Sequence, residues 1–188
     1  GYYVHTFNRL VPWKKYFTSH PEYFGLINGQ RKEYAQLCLT NPDVLKLVID
    51  TLRQEMAAHP NVRYWSVSQN DDFEYCRCER CAAVDKEEGS PSGLILRFVN
   101  QVAAAFPDKT ITTLAYSYTR KAPKTTKPAP NVMVTLEAMI GKTGNRPSTV
   151  RIVTSNCSNG IDDFVPTISS ASAPTRWRNC PGSSTTAR

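Results

Sequence analysis

The chain has 188 residues, 40% of them hydrophobic and 10% aromatic, which suits one sizeable globular domain. No apolar run approaches the roughly 18 residues of a membrane-spanning helix, so no membrane span is expected. The net charge of +7 does not mark a nucleic-acid binder, because residues 141–188 carry six Lys/Arg against two Asp and residues 1–140 are nearly balanced, with no dense basic stripe outside the Pro-rich stretch Arg120–Lys127.

Gly1-Tyr2-Tyr3-Val4-His5-Thr6-Phe7 lacks a start methionine and a leader pattern and reads like the middle of a strand, so the chain is expected to be a fragment. That first strand, Tyr2 to Phe7, would end at His5, Thr6 and Asn8. Residues 9–35 form a long loop rich in aromatics, Trp13 and Tyr34 among them, with a turn at Asn28-Gly29. Loops of that length are uncommon in compact domains unless they serve a function, and aromatic faces suit sugar rings as well as packing.

Gln36–Thr40 reads as a short strand. Asn41-Pro42-Asp43 then supplies a helix cap, a proline at the first helical position and an acid in the first turn. Val44, Leu45, Val48, Leu52 and Met56 recur at helical spacing, which predicts a helix ending at His59-Pro60.

Tyr64–Ser68 is β-branched, aromatic or small and predicts a buried strand. The ends of parallel strands face a common crevice, so Gln69, Asn70, Asp71, Asp72 and Glu74 are candidate site residues; a polar loop with Asx turns is the plain alternative.

Gly89-Ser90-Pro91 starts a second helix, carried by Leu94, Ile95, Phe98, Val99, Val102 and Phe106. Thr110–Tyr118 reads as the next strand, with Tyr116 near its end. After the loop Lys121–Pro130, Asn131–Leu136 is the near-continuous apolar run of a buried parallel strand. The order β, loop, β, α, β, α, β, loop, β predicts an α/β fold with parallel strands. Five strands fit about half of a (β/α)8, TIM-type barrel, and an open doubly wound sheet is the alternative. No glycine-rich phosphate loop follows any strand.

From Gly141 the chain changes character, with 19 of 48 residues Ser, Thr or Pro. A disordered tail over 141–188 is one reading; a shifted reading frame is the other, since Thr175–Arg188 read two nucleotides on is compatible with ordinary globular sequence. Residues 1–140 are then the partial barrel.

Cys76, Cys78 and Cys81 lie in one short loop, and Cys38 ends the preceding predicted strand. Four thiolates suit a tetrahedral structural zinc, and four cysteines equally make two disulfides. Cys157 and Cys180, in the tail, rank low as ligands. For glycoside hydrolysis two carboxyl groups must flank the scissile bond, and Asp71 (or Asp72) with Glu137 could supply them; a cap or surface ion pair is the plain role of each.

At QLCLTNPDVL, YWSVSQNDDFEYCRCERC, EEGSPSGLILRFVNQVA and TLAYSYTRKAP, with HPEYFGLINGQR before them, the chain resembles the bacterial family called domain of unknown function 4838 over about residues 1–140. The resemblance implies a glycosidase-type barrel similar to α-glucuronidases, inside a larger secreted, periplasmic or surface protein of glycan-degrading bacteria. Gln69-Asn70-Asp71 and Cys38, Cys76, Cys78 and Cys81 fall on family motifs; the segment after Leu136, including Glu137, departs from them.

The leading expectation is a glycoside hydrolase-like fragment, inactive alone and lacking the remainder of its barrel, that binds a poly- or oligosaccharide at its strand ends. Asp71 would be the acid/base, Asn70 and His5 would contact sugar hydroxyls, and Tyr116 or Trp13 would stack on a ring. The rivals are a noncatalytic carbohydrate-binding module and a metal-stabilised interaction domain centred on the cysteines.

Overall fold

A computed structural model describes residues 1–136 and the backbone of Arg151–Thr154. Single helical turns at Phe7–Leu10 (α1) and Trp13–Tyr16 (α2) lead to a tiny hairpin, Leu26–Ile27 (β1) with Gln30–Arg31 (β2). Asn28 and Gly29 turn it at φ of 50° and 80°, the left-handed conformation that a two-residue hairpin demands and that Asn-Gly supplies at least cost.

Helix α3 spans Pro42–Ala58 as its pattern predicts. The Asn41 side chain accepts from the Asp43 amide at 2.9 Å, and Val44, Val48, Leu52 and Met56 form the buried stripe. After β3 (Tyr64–Ser66) come α4 (Glu79–Glu88), α5 (Pro91–Ala104), β4 (Thr110–Ala115), β5 (Val132–Leu136) and β6 (Arg151–Thr154). The sheet order is β3-β4-β5-β6; the first three strands are parallel and β6 runs antiparallel to β5.

Trp65, Ile111 and Val132 stand in register across the three parallel strands. All three are buried in one cluster with Phe98, Val99 and Val102 of α5, and each such side chain contributes about 1.5–3 kcal/mol by leaving water. The result is an α/β domain with a three-stranded parallel sheet flanked by helices.

Two of the five predicted strands are not strands. Residues 2–7 run beside β3, with Ser66 N–H donating to Tyr2 O at 3.3 Å, but His5 at φ 55° breaks the pleat and Phe7 starts α1. Residues 36–40 keep only an isolated bridge from Leu37 to Phe24, because Gln36 and Cys38 spend their side chains on the 70–81 loop. The predicted strand 110–118 stops at Ala115, where Ser117 at φ 55° opens a 3-10 turn. No barrel closure is seen among the described residues. Glu137, Cys157, Cys180 and the tail other than Arg151–Thr154 lie outside them. No described helix is long and apolar enough to cross a membrane.

Helix α4, which no periodicity announced, ends at Gly89 with φ 67°. Its last residue, Glu88, is fully buried and ties down the loop before β5. The carboxylate accepts from the Thr125 and Thr126 amides at 3.1 and 3.2 Å, from the Thr125 hydroxyl at 2.8 Å and from Arg97 Nε at 2.9 Å. Burial alone would raise its pKa, but the hydrogen bond from the Thr126 hydroxyl, followed by those from Thr125 and the Thr126 amide, outweighs it and holds the carboxyl well below the usual range.

Candidate metal centre and adjoining cleft

Four cysteines from two stretches of chain meet at one point. Cys38 follows the bridge at Leu37, Cys76 lies in the loop after β3, Cys78 caps α4, and Cys81 sits in its first turn. Cys38, Cys76 and Cys81 are almost wholly inaccessible, and the cluster is closed by Leu94 with Leu26, Leu39 and Val84 packed against it.

The four Sγ atoms all lie within 4.8 Å of one another, and Cys38 Sγ is 3.7 Å from Cys78 Sγ and 3.8 Å from Cys81 Sγ. A tetrahedral zinc with Zn–S bonds of about 2.3 Å spaces its sulfurs by about 3.8 Å. A disulfide would bring a pair to about 2.05 Å. All four are free thiols here. The donor set therefore fits a tetrahedral, thiolate-loving divalent cation.

The surroundings fit as well. The Leu26 amide donates to Cys76 Sγ at 3.4 Å, Arg31 Nη1 reaches the same sulfur at 3.8 Å, and Thr40 Oγ1 lies 3.2 Å from Cys81 Sγ. Donors of this kind orient thiolate ligands and spread their charge. Hydrogen bonds from the Cys76 and Cys81 thiols drive the Cys38 pKa far below the usual thiol range. The same contact with Cys38 pushes Cys76 up to about 11 and Cys81 further still. One thiolate thus opposes ionisation of its neighbours, and four together need a cation at their centre.

Against this centre lies a cleft of about 320 Å³ whose lining includes His5, Asn8, Trp13, Tyr34, Asn70 and Asp71. Five candidate site residues from the sequence, His5, Trp13, Asn70, Asp71 and Asp72, are thereby brought around one space. Tyr116 joins them from the end of β4: its hydroxyl donates to Asp71 Oδ1 at 2.8 Å and its ring stands edge-on to His5 at 5.5 Å. Trp13 packs on Tyr34 with ring centroids 4.6 Å apart. His5 Nδ1 is 2.9 Å from the Gln69 carbonyl, a bond made by the Nδ1-protonated tautomer. The left-handed conformations of His5 and Ser117 flank this end of the sheet, a placement of strain common beside functional sites.

Gln69 itself turns away from solvent, donating to Tyr116 O at 3.1 Å and Thr119 Oγ1 at 2.7 Å, and so holds the strand ends rather than facing a ligand. Gln36 is the residue that the sequence reading missed. It resembled an ordinary strand position, and only its company with Cys38, two residues on, hinted at more.

What the fold and the two features define is an α/β domain carrying a four-thiol centre beside a polar, aromatic-lined cleft. The chain belongs to the family described as domain of unknown function DUF4838, which matches residues 1–162. No curated protein and no solved structure matches the chain.

Proposed function

We propose that the chain is a metal-stapled ligand-binding domain in which zinc, held by Cys38, Cys76, Cys78 and Cys81, serves structure and not chemistry. The observation that carries this reading is the mutual spacing of the four sulfurs, within 4.8 Å overall and 3.7–3.8 Å where Cys38 meets Cys78 and Cys81. Four protein ligands leave a tetrahedral ion no open position for substrate, which is the mark of structural zinc. Elemental analysis of protein purified under reducing conditions should return one zinc per chain, lost in parallel with thiol protection when a strong chelator is added. Metal-free protein with the same melting temperature as zinc-supplemented protein would sink the reading.

A second reading concerns what the domain binds. Polar groups of His5, Asn70 and Asp71 and the Trp13–Tyr34 aromatic pair border one cleft, a combination suited to the hydroxyls and the apolar faces of a sugar. The ligand in this reading is a glycan, and hydrolysis would enlist Asp71 as acid/base with Glu137 as its partner carboxylate. Asp71→Ala should abolish retention on a polysaccharide panel without altering the melting temperature; retention by that variant equal to the parent chain's would reject the cleft as the glycan site.

A further inference from the structure

Gln36 links the metal centre to the cleft through bonds that leave none of its side-chain polar atoms idle. It is 1% exposed. Its Nε2 donates to Asn70 O at 2.9 Å and to Asp72 O at 3.0 Å, and its Oε1 accepts from the Asn70 amide at 2.8 Å. Its own amide donates to Glu74 O at 3.0 Å. The two strands of chain that Gln36 joins are those that the cysteines join: Cys38 lies two residues after Gln36, and Cys76 two residues after Glu74.

From Asn70 the connection continues into the cleft wall. Asn70 Oδ1 accepts from the Asn8 amide at 2.9 Å, and Asn8 Oδ1 accepts from the Trp13 amide at 3.3 Å. Asp71, the next residue, is held on its other side by Tyr116. Apart from the Gln36–Glu74 bond, the backbone of residues 70–78 is tied to the body of the domain by Arg77 N–H donating to Leu26 O at 2.9 Å. With so little backbone pairing, the loop's placement rests on side chains: the sulfurs and Gln36 at its buried side, the Tyr75–Tyr118 stack at 4.5 Å and the exposed Lys32–Glu74 ion pair at 2.8 Å.

We infer that metal loading sets the shape of the cleft, with Gln36 as the positioning residue: occupancy of the four-cysteine site fixes the 70–76 loop, and Gln36 transmits that order to Asn70, Asp71, Asn8 and Trp13. The inference rests on the metal reading above and adds regulation to it. Linkage makes the coupling reciprocal, so a ligand that settles in the cleft tightens the metal by the factor that the metal tightens the ligand.

The test is hydrogen exchange of the full chain, read by mass spectrometry on zinc-loaded protein, on chelator-stripped protein and on zinc-loaded Gln36→Met, with metal content and the spectrum of the cobalt-substituted centre measured on the same preparations. Stripping should speed exchange in peptides covering 8–13 and 69–72 while the α3 peptide stays protected. Gln36→Met should keep one metal and an unchanged cobalt spectrum yet exchange at least roughly tenfold faster at 69–72, the least that losing its three buried side-chain hydrogen bonds carries. If stripping unfolds the whole chain, the loaded Gln36→Met variant decides alone. Full metal content with unaltered exchange in that variant overturns the coupling and leaves the zinc reading standing; absence of metal from the parent protein overturns both.

Discussion

Replacing Cys81 with serine tests the candidate metal centre at one of its two fully buried corners. Cys81 is wholly inaccessible, its sulfur sits 3.8 Å from Cys38 Sγ and 3.2 Å from Thr40 Oγ1, and serine nearly matches its volume, so the packing survives and the chemistry changes. A serine hydroxyl stays protonated at neutral pH and gives zinc a neutral oxygen in place of a thiolate. Loss of one thiolate in four should weaken the metal by at least the ~100-fold that lesser changes around such sites cause. With free zinc above both dissociation constants, a hundredfold weaker site forfeits about 2.7 kcal/mol of linkage stabilisation. For a chain of this length each kcal/mol shifts the melting temperature by about 2–4 °C, so Cys81→Ser should melt about 5–11 °C lower in zinc buffer. Calorimetry of both proteins, with and without chelator, isolates the effect, because chelation should bring the two melting curves together. Cys81→Ser with parental metal content and melting temperature would refute the tetrahedral assignment.

Two further predictions concern buried carboxylates. Glu88→Gln should cost about 2–4 kcal/mol in urea unfolding, because the neutral amide cannot satisfy Arg97 and the Thr125 and Thr126 donors together. Since the folded Glu88 carboxyl titrates below its unfolded value of about 4.3, its contribution is whole above that pH and drains away below it, and the variant should lose that part of the acid sensitivity. Asp85 has the opposite sign. Both its oxygens are shielded without a partner among the described residues, and burial, opposed by Arg77, pushes the carboxyl up to about 6. Stability therefore falls as pH rises from about 3.9 to that value, and the full shift would be worth about 3 kcal/mol, or about 1–2 once partial solvent screening is counted. Asp85→Asn should raise the melting temperature at pH 7 and leave it unchanged at pH 3.5; equal effects at both would show that the charge is irrelevant.

Where local chemistry and tertiary packing point the same way, the sequence was readable. Asn41-Pro42-Asp43 with the Val44, Val48, Leu52 stripe dictates α3, and Ser90-Pro91 with an apolar face dictates α5, because cap, proline and periodicity agree. The Asn28-Gly29 turn was legible for the same reason. Helix α4 was not: its residues Glu79–Glu88 bury only Cys81 and Glu88, so no apolar stripe marks it, and it starts after Cys78 in the four-cysteine cluster. Residues 36–40 misled in the other direction, since the apolar alternation of a strand there serves separate side-chain contacts with the 70–81 loop. At the site, the identity of the cysteines was plain from spacing, but their geometry depends on Cys38 arriving from 38 residues away. Nothing local encodes Gln36, whose three side-chain bonds all cross to another segment.

The choice between a metal and two disulfides turns on the charge of the sulfurs as well as on their spacing. A disulfide sulfur is neutral and a weak acceptor, so the Leu26 amide and the Arg31 guanidinium gain little by facing one. A thiolate bound to a divalent cation retains negative charge, and both donors then make charge-assisted bonds to it. Four thiolates around one divalent ion carry a net charge of −2, which the half-buried Arg31 and the polar contacts at Thr40 offset in a pocket otherwise closed by Leu26, Leu39, Val84 and Leu94. Pairing the cysteines would pull two sulfur pairs inward from these spacings and leave Arg31 facing a neutral sulfur. The loop at the end of β3 is rich in Asp, Asn and Glu and has almost no core of its own. A cation held by the four sulfurs would supply the rigidity that apolar burial cannot supply there, while Asp71, bonded to Tyr116, and Asn70, bonded to Gln36 and Asn8, line the cleft.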